Sequence, residues 1–155
     1  MAGFVDGEGC FSVSIHPHPS APHGWLIHPV FQVYQHRDNA DILDAMRHFF
    51  GCGTVTSKGP NSSVMTFSVY SKKDLLERVI PFFDQHSLVA GKYYDYLRFR
   101  EVVMRMHRKE HLRTDGFEQI VRTAFEMNAR GKQRKHRMDD VLIGILRDCT
   151  PDIRS

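Results

Sequence analysis

Residues 1–10 read MAGFVDGEGC, three glycines and two carboxylates within nine positions. Glycine is a poor helix former, yet Ala2, Phe4 and Val5 stand around Gly3 as they would on a helix. The stretch is therefore either a loose terminus or a short helix that brings backbone and charge to one place. The chain downstream decides between them.

CFSVSIH (10–16) alternates Phe11, Val13 and Ile15 with Ser12, Ser14 and His16, the period-two pattern of a strand with one wet face. PHPSAPHG (17–24) carries Pro17, Pro19, Pro22 and Gly24 and reads as a loop. WLIHPVFQVYQH (25–36) is a second strand with His28 and Gln32 on one parity, and Pro29 confines its first part to an edge or a bulge. Asn39 is placed to cap a helix over DILDAMRHFF that Gly51 ends. CGTVTSKGPNSS (52–63) gives a third strand and a turn, and VMTFSVY (64–70) a fourth. Ser71 caps KKDLLERVIPFFDQH, which Pro81 kinks or shortens. Helical patterns follow over 92–111, 116–128 and 138–148.

With a helical opening, the order is α-ββ-α-ββ-α followed by further helices. That predicts an α+β fold, a four-stranded antiparallel sheet with helices on one face only. Phe82, Phe83, Leu97, Phe99, Val102 and Val103 are expected in its core. The other face would show Ser12, Ser14, His16, His28, Gln32, Thr56, Lys58, Thr66 and Ser68, polar and nearly free of acid. Such a surface suits base edges in a DNA groove better than a protein partner.

The 155 residues fit one domain, 1–155, and at 41% hydrophobic and 25% charged they describe a folded chain rather than a disordered one. No apolar run approaches the roughly 18 residues of a membrane span, and Asp6 and Glu8 interrupt anything resembling a signal peptide. Cys10, Cys52 and Cys149 are isolated and odd in number, as expected of reduced thiols inside a cell. The net charge of +3 is modest, but RMHRKEHLR (105–113) and KQRKHR (132–137) gather cations in the last third. Each run is either a solvated helix face or a surface for a polyanion. His16, His18, His23 and His28 crowd one segment without metal-ligand spacing, which leaves groove or backbone contact or plain surface. His107 and His111 lie one helical turn apart, without the order a zinc protease needs.

MAGFVDGEGCFSVSI (1–15) resembles, residue for residue, the LAGLIDADG motif of the homing endonucleases, with Met1 in place of the first leucine. FQVYQ (31–35), a helix ending FFGCGTV (49–55), SLVAGKYYDY (87–96) and EMNARGKQRKHRMDDVLIGIL (126–146) extend the resemblance over nearly the whole chain. It implies the αββαββα fold and a site-specific double-strand DNA endonuclease. The single motif points to the homodimeric branch, which acts on a long pseudo-palindromic site by metal-dependent phosphodiester hydrolysis. Mg²⁺ is the implied metal, with Mn²⁺ substituting and Ca²⁺ binding without cleavage.

The opening is now readable. Gly3 and Gly7 are four apart, so on a helix they share a face where a second helix can approach closely, with Ala2 beside them. The partner must be a second copy, and two-fold packing brings both Glu8 side chains to the axis. Close carboxylates repel, and a divalent cation removes that cost. Glu8 takes the position of the family's metal-binding acid, where Asp is the other common choice, and the Gly7 carbonyl is implied as a second ligand. Asp6 is assigned a structural role at the helix end. Gln35 and Lys92 fall where the family keeps polar groups around the attacking water. The basic residue that often follows the glutamine strand has no direct counterpart here: Arg37 is the nearest candidate, and Asn39, which is not basic, stands closer to the expected spacing. Lys132, Arg134 and Lys135 resemble the phosphate-contacting loop, and His18 is added to the expected DNA contacts. Met1 already stands inside the motif, so the first turn is expected to lack a side-chain cap.

Two rivals share this fold: an RNA maturase assisting its own intron RNA, and a DNA-binding regulator without metal chemistry. An intracellular location follows for each, in an organelle (chloroplast or mitochondrion) or a prokaryotic cytoplasm.

Overall fold

A computed structural model of the chain describes residues 1–127 and 135–148. The first turn forms despite its glycines because the Phe4 and Val5 N–H groups both donate to the Met1 carbonyl, at 3.1 and 3.2 Å. Val5 is fully buried, and partly buried Ala2 and Phe4 also pack on the core, so tertiary contact outweighs local propensity. The result is α1 (Ala2–Glu8), with no side-chain cap at Met1. Then come β1 (Gly9–Pro17), β2 (Trp25–His36), α2 (Asp41–Phe50), β3 (Thr54–Ser57) and β4 (Val64–Val69). A third helix, α3, covers 72–85 in three runs: α-helical Lys72–Asp74, π-helical Leu75–Val79 and α-helical Ile80–Gln85. It is followed by α4 (Ala90–His107), α5 (Thr114–Glu126) and α6 (Met138–Asp148).

The four strands form one antiparallel sheet in the order β1-β2-β4-β3. Pairing of β2 with β4 begins only at Phe31↔Val69, so Pro29 lies in the half of β2 that has β1 alone as a partner. This is the edge position that a missing N–H tolerates. Phe11, Val13, Phe31, Val33, Phe67 and Val69 point to the helix side and are buried. There the Phe11 ring stacks on Phe31 at 5.1 Å and meets Phe83, Tyr96 and Phe99 at 5.3 Å each. Burying one such ring is worth roughly 1.5–3 kcal/mol, and this cluster joins the sheet to α3 and α4. Tyr96 is the polar exception. Its hydroxyl lies 2.6 Å from Asp84 and 3.0 Å from the Ile80 carbonyl, and burial with the Asp84 carboxylate holds the phenol protonated far above its ordinary range.

Three expectations change. Asn39 does not cap α2, because Arg37–Asn39 form a 3₁₀ turn whose first free N–H, on Asp38, is taken by the His36 ring. The helix over 92–111 ends at His107, where Lys109 adopts the left-handed conformation (φ 61°) and Glu110–Leu112 make a separate 3₁₀ turn. Leu97 is not core but 40% exposed, and Phe82 is only partly buried. The Gly51 stop (φ 64°) and the Ser71 cap, whose hydroxyl accepts from Asp74 N–H at 3.3 Å, are observed.

Candidate functional site

The site begins where α1 becomes β1. Gly9 N–H caps the helix on the Val5 carbonyl, and the chain turns directly into the strand. Glu8 stands at this junction, exposed, and among the described residues no hydrogen bond or ion pair engages its carboxylate. Gly7 is exposed beside it, and its carbonyl is in the last turn, where a helix cannot satisfy its acceptors internally. One residue beyond Glu8, the Lys92 ammonium donates to the Gly9 carbonyl. Lys92 also opposes the burial that pushes the neighbouring Cys10 thiol up. Asp6 accepts a hydrogen bond from Val89 N–H at 2.9 Å, tying α1 to the start of α4.

A carboxylate and a backbone carbonyl are hard oxygen donors of the kind Mg²⁺ takes, one or two from protein with the rest from water and phosphate. Among the described residues no three His, Cys, Asp or Glu side chains are grouped to hold a metal. Glu8 thus stands as a single carboxylate rather than as part of such a group. Gly3 and Gly7 are exposed, and a Cβ at either would meet nothing within 4 Å. Ala2 is half-buried against the core and contributes less to that open face than its neighbours.

Gln35 lies two residues past Val33, the partner of Gly9, and shares the parity of Phe31 and Val33. It therefore faces the helix side of the sheet rather than the polar face. Its amide oxygen accepts from the following N–H, of His36, at 2.8 Å. The Arg37 guanidinium donates to the Ser62 carbonyl at 2.9 Å, tying it to the β3–β4 turn, while Asn39 is exposed.

The opposite face of the sheet carries Ser12, Ser14, His16, His28, Gln32, Thr56, Lys58, Thr66 and Ser68 on one parity. Thr66 and Ser68 are a correction, being only 5% and 2% exposed. They sit in the central strand β4, opposite the longer Gln32 and Tyr34 of β2. Gln32 Nε2 bonds to Ser68 Oγ at 3.2 Å, and Tyr34 Oη donates to Gln32 Oε1 at 2.9 Å. The Lys58 ammonium stands over the Tyr34 ring, 5.1 Å from its centre. Tyr34 was missed in the sequence, although it has the parity of Gln32 and so belongs to the same face. Tyr70 was missed too, and its ring lies 5.6 Å from that of His28. Burial, then His16 and Lys72, hold His28 below the ordinary histidine pKa.

His18 is exposed in the β1–β2 loop, where its ring accepts from Ser20 N–H. Lys132 and Arg134 lie outside the described residues. Lys135 is exposed just before α6, next to His136, whose ring packs edge-on against Trp25 at 5.1 Å.

Residues 1–103 match the model of the LAGLIDADG endonuclease family. A "Probable intron-encoded endonuclease 2" of Neurospora crassa is 32% identical over 121 residues, 78% of this chain but 25% of that protein. The chain thus spans about a quarter of the length of that curated relative. The crystal structure of a homing endonuclease, I-TnaI, superposes with a TM-score of 0.82 at 33% identity, covering 93% of this chain and 94% of that one. The archaeal intron-encoded homing endonuclease I-Vdi141I, complexed with DNA, reaches 0.86 at 27% identity, covering 94% and 92%. Among the described residues no helix is long and apolar enough to cross a membrane.

Proposed function

Because this chain belongs to the LAGLIDADG endonuclease family, we propose that it is an intron-encoded, site-specific double-strand DNA endonuclease that acts as a homodimer. The observation that carries this reading is the unengaged Glu8 carboxylate at the end of a helix whose open glycine face can seat a second copy. Two such helices bring two Glu8 carboxylates together and complete the site. A Mg²⁺ there, held by Glu8 and the Gly7 carbonyl, would supply an activated water and charge stabilisation at the scissile phosphate. Lys92, anchored on the Gly9 carbonyl, places a positive charge beside that phosphate. Gln35 lies on the other strand bordering the junction, where its amide can orient solvent. Each protomer lays the polar face of its sheet into one half of the major groove.

The test is cleavage of a randomised DNA-site library in Mg²⁺ and in Ca²⁺. Cutting at one site in Mg²⁺, with retention but no cutting in Ca²⁺, is the expected result. Retention of DNA without cutting in either metal would replace the nuclease by a regulator, and neither retention nor cutting would point to intron RNA.

Two predictions arise here. Gly3→Leu and Gly7→Leu find empty space in the monomer, so each protomer should keep its fold, read as unchanged circular dichroism, and lose only the stabilisation that association supplied. Sedimentation should nevertheless show monomers, and double-strand cleavage should be lost; dimers of normal activity would refute the helix-to-helix contact. The second concerns Gln32, whose amide is held by Tyr34 and Ser68 and, among the described residues, retains one free N–H and one free lone pair. That pair matches the N7 acceptor and N6 donor of adenine and no other base edge. Gln32→Ala should cost adenine preference at one base pair about 5- to 150-fold, and Tyr34→Phe a part of it. A profile in which the altered position favours guanine in the wild type would disprove this assignment.

A further inference from the structure

The first half of β2 outruns β4, which stops at Val69, so residues 25–30 pair with β1 alone. This end of the sheet lies farthest from Glu8, because β1 leaves the Glu8 junction at Gly9, opposite Val33, and reaches Pro17 opposite Trp25. Its polar face is not polar throughout. Leu26 and Val30 have the parity of His28 and Gln32 and so stand on that face, away from the core. Tyr70, one residue past Val69, reaches the same side, with its ring 5.6 Å from that of His28. Val30 is closed over at 6% exposed, but Leu26 remains 38% exposed. The core contact at this point is made by the next residue, Ile27, on the other side of the strand.

The chemistry of a major groove selects what such a side chain meets. Every group on the base edges there is a donor or an acceptor except one, the C5-methyl of thymine. No acidic residue shares the parity of Leu26 in any of the four strands, so nothing on this face repels the surrounding polyanion. Directly across the ladder from Leu26 stands His16, also exposed. Its ring N–H suits the N7 acceptor of either purine and therefore does not choose the base pair. We propose that Leu26 is a specificity-determining residue, which packs on a thymine C5-methyl in the outer part of each DNA half-site.

This inference rests on the DNA-endonuclease reading above and adds a base to it. The register also fixes where that base lies. Leu26 and Gln32 are six residues apart on one strand, a separation of about 20 Å. At about 3.4 Å of rise per base pair, the thymine falls no more than about six base pairs from the adenine assigned to Gln32, on the side away from the cut. Deoxyuridine pairs with adenine as thymidine does and lacks only the methyl. Burying one methyl group is worth about fourfold in affinity, and the part of Leu26 covered with it adds to that.

The experiment takes the site that the full chain selects from the DNA library in Ca²⁺ and replaces its thymines one at a time by deoxyuridine. The expected result is one position in each half-site, outward of the Gln32 adenine, where the replacement weakens wild-type binding about four- to tenfold. In Leu26→Ser the thymidine and deoxyuridine duplexes should bind within about 1.5-fold of each other. Leu26→Met, which keeps an apolar side chain of similar volume, should keep the difference. Each readout is a ratio measured on one protein, so any loss of folded material cancels. Wild type that binds both duplexes alike at every position would overturn the methyl contact and leave the DNA reading standing, as would Leu26→Ser that still separates them. A library from which no DNA is retained would overturn both.

Discussion

Glu8→Gln is expected to lower the single-turnover cleavage rate by a factor on the order of 10³ while DNA affinity stays within about threefold. The side chain keeps its length and loses only its charge, so a metal held there under the proposed function would lose its anionic anchor. Folding should not change. Glu8 is exposed and has no partner among the described residues, and substitutions at such positions usually stay within about 0.5 kcal/mol. Rate, affinity and melting temperature together separate a lost catalytic group from a damaged protein. A Glu8→Gln enzyme cutting at the wild-type rate would remove Glu8 from the site. Glu8→Asp, which retains the charge, is the control and should keep much of the activity.

Among alanine substitutions of the motif's glycines, Gly9→Ala should be the most destabilising. A Cβ there would lie 2.4 Å from Val5 Cγ1 and 2.7 Å from the Val5 carbonyl oxygen, the oxygen that accepts the Gly9 N–H. Neither neighbour can retreat easily, because Val5 is fully buried and its carbonyl belongs to the helix cap. Overpacking of this kind costs about 1–3 kcal/mol, or roughly 2–4 °C of melting temperature per kcal/mol in a chain of this size. The strand and helix must also part at the point where Glu8 is aimed, and misplacing a reacting group by about 1 Å can cost 10²-fold in rate. Gly9→Ala should therefore lose stability and activity together. The same change at Gly3 or Gly7 meets nothing within the chain. A melting temperature for Gly9→Ala within about 1 °C of wild type would show that the junction can yield.

The first strand was legible because period-two alternation in 10–16 is a direct consequence of one-sided burial. The helix stops at Gly51 and the start at Ser71 were legible because they rest on one residue's local chemistry. The end of α4 was not. Continuous helical patterning runs past His107, and it breaks at the left-handed Lys109, which leads into a separate 3₁₀ turn. Burial of Thr66 and Ser68 was equally hidden, since parity assigns a face but not the height of neighbouring side chains. Leu97 was misplaced for the converse reason: an apolar residue on a helix is not thereby on its inner side, as its 40% exposure shows. For the candidate site, the motif indicated Glu8, but the Lys92 bond to Gly9 and the Tyr34–Gln32–Ser68 chain join residues far apart in sequence.

The π-helical run Leu75–Val79 has a consequence for how this chain can change over time. A π turn is an α turn that has absorbed one extra residue, and Pro81, lacking an N–H, follows where the widened ladder closes. The two ends of α3 are thereby phased independently. Leu75 and Val79 bury on one setting, Ile80 and Phe83 on the next, and all four are buried. Deleting one residue here would straighten the helix but rotate one half by about 100° against the other. The Ser71 end would then keep its place only if the Phe83 end lost its seat among the sheet aromatics. Sequence length in this segment is thus held by the sheet beneath it, whereas the exposed 58–63 turn is free of that constraint.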